Sequence, residues 1–485
     1  PAPLGKVAAD PLPLRVEIVP TVGAAERDVL RVGAGTVLAL HLERVRSGAE
    51  LRVERGGIAV GAAGERPALP IGGVLATVNL PQLDVDRWMP YFEGLADAPA
   101  GSRSGAGQTG GGGMPDFVNA RVRQLTVAGK PFANVVLGAT RGGDGLWQAN
   151  VDSDHASGAL TWRPGASAAG NRITARLARL TIADTQRDSV AELLDAPVTE
   201  VPGFDVTAER FELCGTALCR VELVANYVGR GANAAWQLQK LELTNPDAKM
   251  SAAGQWGREP GAAASAARRM TLNLTLEVGN AGALLARLGI PEAVRGGAGR
   301  LEGEVTWRGS PFALDYATLS GHLTLNATTG QFLTADAGAG RLLGVLSLQS
   351  LPRRITLDFR DVFSEGFAFD SIGASATLTN GVLDTRDFRM RGVSANVLIE
   401  GSADLRYETQ QLHVLVLPEI NAGSASLAYA LLANPAIGLG TFLAQLLLRD
   451  PLSKAFSFEY DITGSWSDPQ VKRRERSAGP VVTPP

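Results

Sequence analysis

Two cysteines, four histidines and one dense run of charges are the residues of this 485-residue chain whose types could do chemistry. Cys214 and Cys219 enclose Gly215-Thr216-Ala217-Leu218. That spacing suits a hairpin loop whose arms a disulfide could join in an oxidising compartment, and two inert thiols are the other reading. A metal site there would need two more ligands, and none is near. His41, His155, His322 and His413 are far apart in sequence, and none has a second His or Cys at metal-ligand spacing. No metal and no cofactor is therefore expected. The charged run is Pro352-Arg353-Arg354-Ile355-Thr356-Leu357-Asp358-Phe359-Arg360-Asp361-Val362-Phe363. Arg354 with Asp358, or Arg360 with Asp361, could be read as an acid/base site. The alternation offers a plainer reading. Ile355, Leu357 and Phe359 share one face of a strand, and Thr356, Asp358 and Arg360 pair on the other. The chain has no Gly-x-Ser-x-Gly elbow, phosphate loop or His-Glu-x-x-His. The expectation is a protein that is not an enzyme.

The elements that carry these residues are strands. Met270-Thr271-Leu272-Asn273-Leu274-Thr275-Leu276-Glu277-Val278 alternates without a break. A period of two puts Met270, Leu272, Leu274, Leu276 and Val278 on one face. His322-Leu323-Thr324-Leu325-Asn326 and Arg220-Val221-Glu222-Leu223 repeat the pattern, and Leu238 to Leu243 follows it less cleanly. One-sided burial suits antiparallel hairpins and meanders rather than a doubly wound parallel sheet. A weak repeat also recurs, a strand ending in Gly and then Trp before a polar turn: Gly158 to Trp162, Gly254-Gln255-Trp256, Gly303 to Trp307 and Gly464-Ser465-Trp466. In it, Trp caps a hydrophobic strand end. Its irregular spacing implies a repeated supersecondary unit rather than a strict solenoid. Glycine at 57 residues and aromatics at 6 % fit many turns. The net charge of −3, from 46 basic and 49 acidic residues, argues against nucleic acid, which needs a basic face.

Helical stretches are few. Ser189 to Asp195 and Ala281 to Leu288 each suit about two turns. Between Glu419 and Arg449 no charge occurs. Its length suits a membrane span, but Asn434-Pro435 interrupts it, and each half is too short for roughly 30 Å of hydrocarbon. Two short helices are expected, about Ser424 to Ala433 and Ala436 to Leu448. They either plug the open end of a core or rest in a membrane interface. The membrane-contact candidates are Ile437, Leu439, Phe442, Leu443, Leu446 and Leu447. The expected segments are residues 1–95, a Gly/Ser-rich linker at 96–114, a β-rich part at 115–339, a C-terminal region at 340–471 and a disordered tail at 472–485. The opening Pro1-Ala2-Pro3, with neither signal peptide nor apolar anchor, reads as the middle of a longer protein.

The last third carries a resemblance. Gly340-Arg341-Leu342-Leu343-Gly344 leads into Ser347-Leu348-Gln349-Ser350-Leu351-Pro352-Arg353-Arg354. Leu357-Asp358-Phe359-Arg360-Asp361-Val362-Phe363 and Gly366-Phe367-Ala368-Phe369-Asp370 follow, and Tyr460-Asp461-Ile462-Thr463-Gly464-Ser465-Trp466-Ser467-Asp468-Pro469 closes the series. In this order they resemble the C-terminal signature of the YhdP proteins within the AsmA-like superfamily. Leu83-Asp84-Val85-Asp86-Arg87-Trp88, Leu146-Trp147-Gln148-Ala149-Asn150-Val151-Asp152-Ser153 and Gly299-Arg300-Leu301-Glu302-Gly303 are similar to further family elements. The cysteine pair is outside the pattern.

The resemblance implies a mainly β fold: an elongated, curled, mostly antiparallel sheet forming an apolar groove, with a few short helices and two C-terminal ones. At about 4.8 Å per strand, roughly thirty strands would form a trough on the order of 140 Å long. It also implies intermembrane phospholipid transport in the Gram-negative envelope and support of the outer-membrane barrier. The protein would lie in the periplasm, anchored in the inner membrane through an N-terminal helix that this chain lacks. Partners would be phospholipid, the inner and outer membranes and envelope proteins. The groove-lining candidates are Met270, Leu272, Leu274, Leu276, Val278, Leu323, Leu325, Ile355, Leu357 and Phe359. The alternative is a structural or adhesive envelope protein with a filled core that binds a protein or glycan. Partly uncovered apolar faces mark the first reading, and faces buried against a second sheet mark the other.

Overall fold

A computed structural model describes residues 12–21, 26–47, 50–61, 66–88, 115–127, 130–165, 170–182, 202–213, 215–229, 235–258, 268–309, 311, 314–333, 367–393, 395–418 and 457–474. The chain divides into two compact units, Pro1–Val228 and Gly229–Pro485. The fold is mainly β and mostly antiparallel, as the alternation predicts.

The first unit holds β1 (Leu14–Pro20), β2 (Arg27–Ala34), β3 (Leu38–Ser47), β4 (Glu50–Val60), β5 (Gly73–Asp84) and β6 (Phe117–Val127). It continues with β7 (Lys130–Arg141), β8 (Trp147–Asp152), β9 (Ala156–Arg163), β10 (Arg172–Ile182), β11 (Gly203–Leu213) and β12 (Thr216–Val228). Each strand pairs with the next in the chain. The β4–β5, β5–β6 and β10–β11 pairs are parallel, and the rest are antiparallel. A parallel neighbour requires the chain to return to the starting end of the strand. The connections at 61–72, 85–116 and 183–202 do this, and residues 85–88 form one helical turn.

The second unit holds β13 (Ala235–Thr244), β14 (Ala248–Gly257), β15 (Arg269–Val278), α1 (Ala281–Arg287), β16 (Val294–Arg308) and β17 (Ser320–Phe332). β18 (Phe367–Thr379), β19 (Val382–Gly392), β20 (Ala395–Asp404), β21 (Thr409–Pro418), β22 (Phe458–Ser465) and β23 (Asp468–Arg473) complete it. Every described ladder here is antiparallel. The described strands number 23, fewer than the roughly thirty that a 4.8 Å spacing was matched to.

Helix α1 forms where expected. Asn280 caps it by accepting from the Ala283 amide at 3.0 Å, and Leu288 caps its end. Arg287, in the last turn, donates to Asp247 at 2.6 Å. The expected helix at 189–195, the linker at 96–114 and both C-terminal helices lie outside the described residues. Lys472 and Arg473, where the tail was expected to begin, still belong to β23.

The less regular alternation after Leu238 has a cause in the pairing. Leu238 faces Gly254 and Leu241 faces Ala252, so a bulge inserts one residue and restores the apolar side. At Gly321 the backbone has φ +148°, and an added Cβ would sit 2.0 Å from the Glu304 carbonyl oxygen. Only glycine lets β16 and β17 approach there.

The main buried cluster among the described residues lies in the second unit. It comprises Phe332, Phe367, Phe369, Phe388, Met390, Val397, Ile399, Val414, Tyr460 and Ile462, among others. Ala281, Leu285 and Ile290 pack against it. The largest fully buried side chains are all in this unit.

Candidate functional site

The register carries one apolar face across successive strands. In the second unit, Leu274 lies between Ala252 of β14 and Gly303 of β16, and Gly303 faces Leu323 of β17. One step along, Leu276 faces Leu301, and Leu301 faces Leu325. Leu272, Leu274, Leu276, Val278, Leu323 and Leu325 are each only half buried, which leaves apolar surface uncovered. Leu301 belongs to this row, although sequence reasoning did not select it. Its signal was present in Gly299-Arg300-Leu301-Glu302-Gly303, but only the pairing places it between two leucines.

Met270 differs from its fellows. It is 2 % exposed, between Trp256 of β14 and Trp307 of β16, and Trp256 faces Trp236 of β13. These four side chains form a buried row that closes one end of the leucine surface. The Trp256 indole N–H donates to the Gly309 carbonyl at 2.8 Å, and the Arg268 guanidinium lies 4.8 Å from its ring centre. The Gly-and-Trp repeat thus caps strand ends at Trp256 and Trp307. Trp162 instead faces Trp147 and is 42 % exposed. The remaining groove candidates, Ile355, Leu357 and Phe359, lie outside the described residues, as do all six membrane-contact candidates.

The first unit repeats the arrangement. Leu40 faces Ile58, Ala120 faces Leu137, Leu137 faces Val151, Ala149 faces Leu160, and Val206 faces Leu223. Of these side chains the larger ones are half buried. Burial on this face is complete at Ala208 and Ala225, both at 0 %, and also reaches Val122, Val135, Leu177 and Val221.

The other face is ionic. Lys249 and Lys240 reach Glu242 at 2.6 and 2.9 Å, and Arg300 links Glu277 and Glu302 at 3.0 and 2.7 Å. Hydrogen bonds from Lys249 and Lys240 hold the Glu242 carboxyl below its ordinary pKa, and Glu242 raises that of Lys249. In the first unit the Arg55 guanidinium lowers Glu43 in the same way. Such exposed pairs fix register more than they add stability.

Little in the described chain resembles a reaction centre. No group of three His, Cys, Asp or Glu that could hold a metal occurs among the described residues. His413 lies on the ionic face, its Nδ1 3.0 Å from Asp461 and its Nε2 3.8 Å from Glu459. His322, on the same face of β17, is exposed. Cys219 is a free thiol opposite Phe211 in β12, and Cys214 lies outside the described residues. The expected bridge, which involves Cys214, therefore lies outside the described residues. The described hairpin pairs Leu213 with Thr216. No described helix is long and apolar enough to cross a membrane.

The intermembrane phospholipid transporter YhdP of Escherichia coli (strain K12) is 26 % identical over 503 residues, covering 97 % of this chain. The chain spans only 36 % of that relative. No solved structure matches. The family model described as YhdP protein matches residues 1–471, and the chain belongs to that family.

Proposed function

We propose that this chain carries phospholipid between the two membranes of a Gram-negative envelope, its apolar face shielding acyl chains while headgroups stay in water. The leucine row on β15–β17 supports this most directly. Leu272, Leu274, Leu276, Leu301, Leu323 and Leu325 share one face and stay partly uncovered. Water against that surface costs about 0.8 kcal/mol per CH₂ that an acyl chain would otherwise cover. The transport named for the E. coli relative points the same way. In this reading the protein acts by binding rather than catalysis, lies in the periplasm tethered to the inner membrane, works with envelope proteins and supports the outer-membrane barrier. The uncharged segment from Ile420 to Leu448 makes the membrane contact, through Leu443 and Leu447 among others. Asp at both positions should then abolish liposome binding.

The filled core around Val397 and Val414 favours a structural role for that part of the sheet alone. The test of the whole reading is mass spectrometry of lipid co-purified without detergent. Phospholipid is expected with the native chain and lost with Leu274→Asp or Leu325→Asp. Detergent-free protein bare of lipid, under conditions where it is folded, would leave the structural reading.

A further inference from the structure

We propose that the acyl-accepting face of the second unit ends before β20, because the ladder from β19 to β22 is closed by a core packed from its own side chains, Phe332 and α1. This rests on the phospholipid reading above.

The face itself does not end there. Ala327 of β17 lies opposite Ile372 of β18, Ile372 opposite Met390 of β19, and Met390 opposite Val397 of β20. The same side of the sheet therefore continues without a break. Only its burial changes. Ala327 is half buried, Ile372 is 7 % exposed, and Met390 and Val397 are at 0 %. Val414 on β21 and Ile462 on β22 are also at 0 %.

An acyl chain gains by covering surface that water would otherwise touch. On β15–β17 such surface exists, and its lining is purely aliphatic. On the same face of β20–β22 little is left beyond half-buried Phe458. A close-packed interior admits a methylene chain only by forcing its side chains out of their rotamers. Lipid that reaches β17 must therefore leave sideways or turn back, and cannot run on under β20–β22.

The test uses the full chain, detergent-free, with vesicles of phosphatidylethanolamine and phosphatidylglycerol that contain a trace of diazirine-acyl phosphatidylethanolamine. After irradiation, adducts are mapped by peptide mass spectrometry. About tenfold more adduct is expected on peptides of β15–β17 than on those of β20–β22. Comparable adduct on both overturns the boundary and leaves the phospholipid reading standing. No adduct on any strand overturns both. Met390→Ala supplies a second readout by opening space within the filled part. Adducts on β20 are expected to rise in the folded variant, and an unchanged pattern counts against filling as the barrier.

Discussion

Leu301 lies directly opposite Leu325 in the β16–β17 ladder, and both side chains are only half buried. On its other side Leu301 faces Leu276. Three leucines thus stand abreast on three strands. A carboxylate at the middle position would put a charge where an acyl chain is to lie. Leu301→Asp is expected to lower co-purified phospholipid about tenfold, while Leu301→Met keeps it. The cost to folding should stay near 1 kcal/mol, since a half-exposed side chain loses little burial. A folded Leu301→Asp protein with the native lipid load would refute the assignment of this face.

Ile462 and Leu323 are on the same face but differ in what truncation removes. Ile462 is at 0 % exposure within the filled ladder, and Leu323 is half buried. Ile462→Ala is expected to cost about 2–5 kcal/mol through lost contacts and a residual cavity. Leu323→Ala should cost about 1 kcal/mol, because its surroundings are already open. Denaturant unfolding of both variants checks the contrast. Equal costs would mean that the two regions are packed alike.

Gly321 and Gly33 are both strand glycines, yet they should respond differently to Ala. At Gly321, φ is +148° and the new Cβ would meet the Glu304 carbonyl at 2.0 Å. At Gly33 nothing lies within 4 Å. Gly321→Ala is expected to cost about 1–3 kcal/mol, from strain and separation of β16 from β17. Gly33→Ala should stay within about 0.5 kcal/mol. Thermal melts suffice, and a neutral Gly321→Ala would show that the strands need no such close approach.

Tyr460 gives the fold an alkaline limit. Burial pushes its hydroxyl above the ordinary value of 10.0, with Arg473 partly opposing the shift. On raising the pH, the unfolded chain loses this proton before the folded one does. The contribution of Tyr460 is therefore complete below about pH 10 and is lost as pH climbs through the folded value. Tyr460→Phe should show a shallower fall in stability between pH 9.5 and 11 than the native chain, as judged from urea midpoints. Parallel pH profiles would exclude burial of the phenol as the cause.

The alternation of residues 270–278 was enough to show a strand and to sort its side chains onto two faces, because successive Cβ atoms point to opposite sides whatever the strand pairs with. The same local sterics made α1 legible from residues 281–288. The C-terminal motifs were sufficient for the family, since they are matters of identity and order. The degree of burial was only partly legible. Leu272, Leu274 and Leu276 alternate with polar residues, whereas Leu398 stands between Val397 and Ile399 in an unbroken apolar run; the first three are half buried and Val397 and Ile399 are 0 % and 2 % exposed. The difference comes from neighbours distant in the chain: Gly303 and Gly254 offer no side chain beside Leu274 and Leu272, whereas Val416 and Val414 fill in beside Val397 and Ile399. Pairing also decided that Met270 lies in a tryptophan row, that Leu301 joins the leucines, and that Cys219 sits opposite Phe211. Periodicity acts between adjacent residues and is written in the chain. Register and burial act between strands that the chain brings together only on folding, so they belong to the tertiary structure.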